Sequence, residues 1–184
     1  MTTPIHGTCD PRFAAVKAAF ENNFSEHGDL GASVAITLDG EFVVDLWGGH
    51  LDEERTQPWQ EDSLVNVWSS TKTMAAMSLL LLADRGEVDL DAPASKYWPE
   101  FGQSGKKAVE VRHFLSHTAG LSGMDKQVEG DALYDWEWMT TALAKQEPWW
   151  EPGTQSGYHA ITQGHLIGEI VRRVTGETIG NFFR

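Results

Sequence analysis

Cysteine, long apolar runs and basic side chains are all scarce in this chain. Its 184 residues include one cysteine, Cys9, which excludes an intrachain disulfide. The longest nearly apolar stretch, residues 74–83, is too short to cross a bilayer as a helix. Lys and Arg number 14 against 27 Asp and Glu, so the net charge is −13 at pH 7 and the pI is about 4.8. Such an acidic chain disfavours nucleic acid and anionic membranes as partners, because both attract basic surfaces.

The N-terminus lacks the features of a secretory signal. Residues 1–7 contain neither a basic n-region nor an apolar h-region. Hydrophobic residues make up 41% of the chain and charged residues 22%, which is ordinary for a globular domain with a proper core. We therefore expect a soluble cytoplasmic protein.

A helix and a β-hairpin are predicted in the first third of the chain. Asp10 and the proline after it are typical of a helix start, and Gly28 of a helix end. The Asp39-Gly40 pair separates two β-rich runs, 33–38 and 41–47, which is the strongest short hairpin signal. No further strand is predicted. Two strands alone are marginally stable, so we expect the sheet of this domain to be incomplete.

The stretch Ser69-Ser70-Thr71-Lys72 stands directly before the apolar run 74–83, as expected for a helix start. Ser69 and Lys72 are three residues apart, which places both side chains on one helical face. A serine hydroxyl becomes a nucleophile when a neighbouring base takes its proton, and a lysine can take part in that step. The spacing therefore indicates a Ser-x-x-Lys nucleophile.

Two other interpretations of this spacing stay open. Ser69 could simply cap the helix, since serine is a good N-cap residue. A second match, Ser104 with Lys107, lies in a polar stretch without an apolar run directly behind it, and we interpret it as a solvated loop.

Later segments add further candidate residues. His113 and His117 are one helical turn apart, a spacing that could bind zinc, but no third ligand is evident and the Glu of a His-Glu-x-x-His motif is missing. Trp149 and Trp150 adjoin a Pro-Gly turn and could line an apolar pocket or belong to the core. Helices are predicted over 131–145 and around 161–174, with a short one after Thr178.

The order of these motifs resembles the class C β-lactamase-like serine hydrolases, and among them the family VIII carboxylesterases. The companion motifs Ser-Asp-Asn and Lys-Thr-Gly of class A enzymes are missing. The resemblance rests instead on the hairpin, on SSTK at 69–72, and on three later segments: HFLSHTAGL at 113–121, EPGTQSGYHA at 151–160 and GHLIGE at 164–169. It covers nearly the whole chain from about residue 31.

The resemblance implies a role for each matching residue. Ser69 would attack the substrate carbonyl, Lys72 would share in its deprotonation, and Tyr158 would act as base and then as acid. No cofactor and no metal is implied. Ala160 stands where β-lactamases carry an Asn whose amide contacts the acylamino group of the substrate, which favours small esters over β-lactams. Trp149 and Trp150 are candidates for the acyl pocket.

The resemblance also implies the fold class, which is α/β of the α+β type. We expect the β-lactamase and penicillin-binding-protein-like fold, represented by its N-terminal helix, the hairpin of its sheet and most of its helical region, without its C-terminal strands. Residues 1–58 would form the helix and hairpin, and residues 59–184 a mainly helical, truncated region with the Ser-x-x-Lys and Tyr motifs. In this family the later half supplies the remaining strands and one oxyanion N–H, so we expect little turnover from this chain alone.

The predicted function is a serine hydrolase of small carboxylic esters that works through an acyl-serine intermediate. One alternative is a class C-type β-lactamase or a D-amino-acid peptidase. An alternative of another kind is an inactive truncated fragment or interaction module. The expected partner is a small-molecule ester, with no nucleic acid or membrane, and the sequence leaves the oligomeric state open.

Overall fold

The computed structural model describes residues 3–184, which divide into two compact units after Asn66. The boundary predicted between residues 58 and 59 lies slightly earlier in the chain. Each unit has its own cluster of buried apolar side chains. Within the described residues, no helix is both long and apolar enough to cross a membrane.

The first unit is a three-stranded antiparallel sheet with one helix. Its strands are β1 (Ile5–Cys9), β2 (Gly31–Leu38) and β3 (Glu41–Gly49), and β3 lies in the middle. The chain passes from β1 through a 3₁₀ turn, Pro11–Phe13, into α1 (Ala14–Ser25). The carboxylate of Asp10 accepts a hydrogen bond from the backbone N–H of Arg12, as predicted for a capping residue. Three side chains form the core of the unit: Phe20, Val44 and Leu46.

The predicted hairpin is confirmed, but the prediction of only two strands is wrong. Asp39 and Gly40 both have positive φ, 53° and 85°, as a type I′ turn requires. The strand missed from the sequence is β1, which pairs with β3 from Ile5 opposite Gly48 to Cys9 opposite Val44. Its sequence, IHGTC, is only five residues long, and glycine is a residue depleted in strands. It contains Gly7, which has a φ of 98° and where a Cβ would overlap the Asp45 carbonyl.

The second unit is helical. Its helices are α2 (Thr71–Asp84), α3 (Arg112–Leu115), α4 (Trp136–Lys145), α5 (Thr162–Thr175) and α6 (Ile179–Phe183). The other four helices pack against α5. The fully buried side chains around it include Phe101, Phe114, Leu143, Leu166 and Ile167.

The observed helices agree only in part with the predicted ones. The helix predicted over 131–145 begins at Trp136, because Asp135 is the N-cap and accepts from the backbone N–H of Trp138. His113 lies in the single turn of α3, and His117 lies beyond the end of that helix. The short helix predicted after Thr178 is confirmed as α6, and the Thr178 hydroxyl caps it by accepting from Asn181.

Candidate active site

Ser69 lies in a 3₁₀ turn, Trp68–Ser70, immediately before α2. The sequence places it in the first turn of the helix itself, but α2 begins at Thr71 and its N-cap position is taken by Ser70. Ser69 is therefore not the capping residue, which removes that alternative. Trp68 just before it has a φ of 47°, a left-handed value that a bulky side chain rarely adopts. The turn leaves Ser69 exposed, at the entrance to the positive end of α2.

Lys72 occupies the first turn of α2 and contacts Ser69 directly. Its Nζ donates to Ser69 Oγ at 3.3 Å and to the backbone carbonyl of Ala160 at 2.7 Å. Nζ also lies 5.1 Å from the centre of the Tyr158 ring, within the range of a cation–π contact. The structure thus brings together three residues that the sequence singles out: Ser69, Lys72 and Tyr158.

Tyr158 is the titrating group of this cluster. A hydrogen bond from Ser69 lowers its pKa from the ordinary value of 10.0, and a hydrogen bond and the positive charge of Lys72 lower it further. Together these effects outweigh desolvation, which raises the pKa and is second in size to the effect of the Ser69 hydrogen bond. The side chain is 54% exposed, so solvent screens part of the charge effect. The arrangement shifts the equilibrium towards the phenolate, which is the form that can accept a proton from a serine hydroxyl.

A ladder of backbone hydrogen bonds fixes the segment that carries Tyr158. Trp149 donates to the Gly120 carbonyl at 2.8 Å, Gly153 to that of Thr118 at 2.9 Å, and Gly157 to that of His117 at 3.1 Å. A side chain at residue 157 would not fit: a Cβ there would lie 2.5 Å from the Trp150 ring and 2.6 Å from Ser122 Oγ. The segment therefore lies closely against residues 117–122.

His117 and His159 support this segment, and neither was assigned a role in catalysis from the sequence. The backbone N–H of His159 donates to His117 Nδ1 at 3.1 Å, and the His117 ring lies 4.9 Å from the Tyr158 ring. The buried His159 ring accepts from the backbone N–H of Leu121 at 3.2 Å. In the sequence, these two histidines stand out only because they belong to HFLSHTAGL and EPGTQSGYHA, two of the segments on which the family resemblance rests. Whether a histidine in these segments serves function or packing is decided only by its contacts.

The pair His113 and His117, considered for zinc, is used in two separate places. His113 Nδ1 accepts from the backbone N–H of Glu110 at 3.2 Å, and its ring lies near Gly153. His117 Nδ1 is engaged by His159. Across residues 3–184, no three His, Cys, Asp or Glu side chains are grouped closely enough to hold a metal ion.

The two candidate pocket tryptophans have different surroundings. Trp149 is 50% exposed, and its Nε1 donates to Asp125 Oδ1 at 2.5 Å. Trp150 packs edge-on against the His159 ring, with centroids 6.4 Å apart, and its ring lies against Gly157. Trp150 thus packs against the residues on both sides of Tyr158, namely Gly157 and His159.

A cavity of about 460 Å³ begins at Ala160, the residue whose carbonyl binds Lys72. Neither Trp149 nor Trp150 contributes to its lining. Its wall is mainly apolar and includes Met124, Val128, Leu133, Met139, Ala160 and Ile161, together with the polar Ser122, Lys126, Gln127 and Thr162. Ala160 therefore both lines this cavity and binds Lys72, while Ser69, Lys72 and Tyr158 are not among the residues that line it.

Comparison with known proteins identifies relatives along almost the whole chain. The protein-family model described as Beta-lactamase matches residues 17–184. The Esterase/beta-lactamase LipL of Mycobacterium tuberculosis is 42% identical over 180 residues, which is 98% of this chain and 42% of the relative. The chain thus spans less than half the length of this relative.

Solved structures agree with this result. A family VIII carboxylesterase superposes with a TM-score of 0.91 at 47% identity, covering 98% of this chain and 49% of that one. A penicillin-binding protein homologue from Caulobacter crescentus gives a TM-score of 0.92 at 45% identity, covering 97% of this chain and 48% of the other. The fold class expected from the motifs is therefore confirmed, over about half the length of these structures. The chain belongs to the β-lactamase family.

Proposed function

We propose that this chain carries the nucleophile and the proton-transfer groups of a serine hydrolase that cleaves small carboxylic esters. The observation that carries the proposal is the contact of Ser69 with Lys72, one turn along the chain, and with Tyr158, which the fold brings from a distant part of the sequence. The names of similar proteins, an esterase/β-lactamase and a family VIII carboxylesterase, support the same class of reaction.

The proposed reaction has two halves. Ser69 Oγ attacks the ester carbonyl carbon while its proton passes to the Tyr158 phenolate, and Lys72 stabilises the negative charge. The C–O bond to the alcohol then breaks, and the alcohol leaves with the proton held by Tyr158. Water next attacks the acyl-Ser69 ester and gives its proton to Tyr158, which returns it to Ser69 Oγ as the carboxylic acid departs.

Lys72 is better suited to be a cationic partner than a base in this geometry. Its ammonium group already donates to Ser69 Oγ and to the Ala160 carbonyl. A group that donates to an oxygen cannot also accept the proton of that oxygen without first losing one of its own. Tyr158, whose pKa is lowered by the same neighbours, is therefore assigned as the base.

The substrate class follows from Ala160 and the cavity behind it. A methyl group at 160 offers no hydrogen bond to an acylamino substituent, whereas an ester with a plain acyl chain needs none. The cavity at Ala160 has an apolar wall and about 460 Å³ of space, enough for a short acyl chain. We assign this cavity to the acyl part of the ester.

Active-site labelling tests the nucleophile. A fluorophosphonate probe should attach to Ser69 of the 184-residue chain, and Ser69→Ala should abolish the label while leaving the circular dichroism spectrum unchanged. Ser104→Ala is the matched control, since that serine donates to the Lys145 carbonyl and belongs to the second Ser-x-x-Lys match. A label found at another residue, or persistent in Ser69→Ala, would refute the assignment.

Turnover tests the substrate class. Hydrolysis of p-nitrophenyl esters from acetate to octanoate should exceed hydrolysis of penicillins, and Val128→Trp should selectively slow the longer esters by filling the cavity. Glu129→Trp is the control, because this exposed neighbour does not line the cavity. Faster cleavage of a penicillin than of any ester would favour the β-lactamase alternative.

A further inference from the structure

We propose that His117 is a positioning residue for Tyr158 and that it acts as a neutral imidazole with its proton on Nε2. The proposal rests on the proposed function, in which Tyr158 is the base. It concerns a different residue and a different property: how the phenol is held next to Ser69, rather than what the phenol does.

His117 binds the chain on both sides of Tyr158. The backbone carbonyl of His117 accepts from the N–H of Gly157 at 3.1 Å, and its Nδ1 accepts from the N–H of His159, also at 3.1 Å. The imidazole ring itself lies 4.9 Å from the Tyr158 ring, at an angle of 58°. One residue therefore fixes the two peptide groups that flank the phenol and also limits where the phenol ring can lie.

The tautomer follows from the chemistry of the partners. A backbone N–H only donates, so the His117 Nδ1 that receives it carries no proton, and the proton of the neutral ring is on Nε2. His159 is fixed in the other tautomer: its Nδ1 lies 2.6 Å from the Gly157 carbonyl, which only accepts, and its Nε2 receives the N–H of Leu121. The two hydrogen bonds of the His159 ring thus hold in place the residue whose backbone N–H donates to His117.

Burial and the charge of Lys72 favour the neutral form of His117. Burial lowers its pKa below the ordinary 6.5, and the positive charge of Lys72 lowers it further. Two other ionisable rings, those of Tyr158 and His159, lie 4.9 and 5.5 Å away. A phenolate at Tyr158 acts in the opposite direction to Lys72, so the hydrogen bond from His159 decides the form of the ring. Protonation of Nδ1 would remove the acceptor for His159 and place a second cation near Lys72.

The backbone at His117 supports a specific role. Its φ is 61°, in the left-handed region that costs a non-glycine residue roughly 1–2 kcal/mol. Glycine would adopt this conformation without strain, and asparagine tolerates it better than most residues. Histidine at residue 117 is therefore explained by the contacts of its side chain and not by its backbone preference.

The left-handed backbone provides a matched pair of variants. His117→Asn keeps an acceptor oxygen near the position of Nδ1, whereas His117→Gly suits the backbone but offers no acceptor. Two readouts are compared with wild type: the rate at which a fluorophosphonate labels Ser69, and the pH midpoint of the Tyr158 phenolate, measured by ultraviolet absorbance as the difference from Tyr158→Phe. The second readout does not require any turnover.

The expected result is rescue by asparagine. His117→Asn should label Ser69 within about threefold of wild type, and His117→Gly about tenfold or more slowly, the cost of one lost hydrogen bond in an active site. The Tyr158 midpoint should move to higher pH in His117→Gly and stay near wild type in His117→Asn. Nitrogen NMR of His117 should show the Nε2-protonated neutral ring at pH 7.

Three results would overturn the proposal: equal behaviour of the glycine and asparagine variants in both readouts, a proton on Nδ1 at pH 7, or an unchanged Tyr158 midpoint in His117→Gly. Failure of the proposed function is distinguishable from these. If wild type does not label at Ser69, the nucleophile assignment fails, while the phenolate midpoints still decide whether His117 positions Tyr158.

Discussion

Tyr158 carries the main electrostatic demand of the proposed chemistry, because a phenol with a pKa near 10 holds its proton at neutral pH. Two neighbours of Tyr158 make it easier for the phenol to lose its proton. Ser69 and Lys72 both lower the pKa of Tyr158, and neither is far along the chain from the other. The nucleophile Ser69 and the cation Lys72 therefore lie within one turn of chain, whereas the base Tyr158 belongs to a separate segment.

Removal of the positive charge at Lys72 should raise the pKa of Tyr158. In Lys72→Met the phenol loses a hydrogen bond and a nearby cation, so the ultraviolet titration step assigned to Tyr158 should move to higher pH. The rate of Ser69 labelling at neutral pH should fall with it, because less phenolate is present.

Lys96→Met is the control for this titration. Lys96 lies over the ring of a different tyrosine, Tyr97, with Nζ 5.2 Å from its centre, close to the 5.1 Å between Lys72 and Tyr158. Its replacement should leave the Tyr158 step unchanged. If Lys72→Met also leaves that step unchanged, then Lys72 is not the counter-ion of Tyr158.

At the residue scale, the sequence predicts contacts between residues that are close in the chain but not between residues that are distant in it. The spacing of Ser69 and Lys72 is enough to bring them together, because one turn of chain separates them. Tyr158 entered only through the resemblance, since the hydrogen bond from Lys72 to Ala160 joins positions 88 residues apart. The spacing of His117 from His113 indicated only a possible metal ligand. Its hydrogen-bond partner, His159, could not be identified without the fold.

At the scale of elements, the Tyr158 segment and residues 117–122 behave as one support for the site. The ladder between them leaves no space at Gly157, where a methyl group would overlap the Trp150 ring and Ser122 Oγ. Gly157→Ala should therefore destabilise the protein by about 1–3 kcal/mol, the usual cost of overpacking. Because the strain falls next to Tyr158, labelling of Ser69 should slow as well.

Gly164→Ala is the matched control for this prediction. Gly164 lies in α5 with nothing near its missing Cβ, so alanine there should be neutral or stabilise by roughly 0.5–1 kcal/mol. Urea unfolding of both variants measures the difference. A Gly157→Ala protein as stable as Gly164→Ala would mean that the two segments are not tightly packed.

Helix α5 carries a buried carboxylate whose pairing should stabilise the second unit. Glu169 is 1% exposed and accepts from Trp136, Arg172 and Arg173. These hydrogen bonds outweigh burial and lower the pKa of Glu169 from 4.5 to about 2. Glu169→Gln should reduce the free energy of unfolding at pH 7 by about 2–3 kcal/mol, because the arginines lose their charged partner.

The pH dependence gives this prediction its sign. A carboxylate with a lowered pKa stabilises the folded state fully above its unfolded value of 4.5, and loses this effect as the pH falls towards about 2. The difference in stability between wild type and Glu169→Gln should shrink over that range. The exposed Glu177→Gln should show no such difference, and a gap that stays constant with pH would contradict the assignment.

Elements with a strong local signal were predictable, and those that depend on pairing were not. The Asp39-Gly40 turn sets the hairpin by its backbone preference alone. In contrast, β1 becomes a strand only because β3 offers it hydrogen-bond partners. In α2 the apolar run indicates a helix correctly, but an almost wholly apolar run does not show which of its residues are buried; they are Ser78, Leu79 and Leu82.

For the whole molecule, the large negative charge and the apolar surface of α2 act in opposite directions. The charge of −13 keeps copies of the chain apart at pH 7. On α2, four apolar side chains are at least 40% exposed: Met74, Met77, Leu80 and Leu81. Exposed apolar patches favour association once repulsion no longer opposes it. The balance between these two properties should therefore depend strongly on pH.

We expect light scattering by the protein to be greatest near its pI of about 4.8, where the net charge vanishes. Met77→Gln with Leu81→Gln should reduce this scattering, since glutamine is about as good a helix former and adds no charge. Tyr134→Gln with Phe183→Gln is the control, because both residues are exposed but lie outside α2. If both pairs reduce scattering equally, association depends on total apolar exposure rather than on the surface of α2.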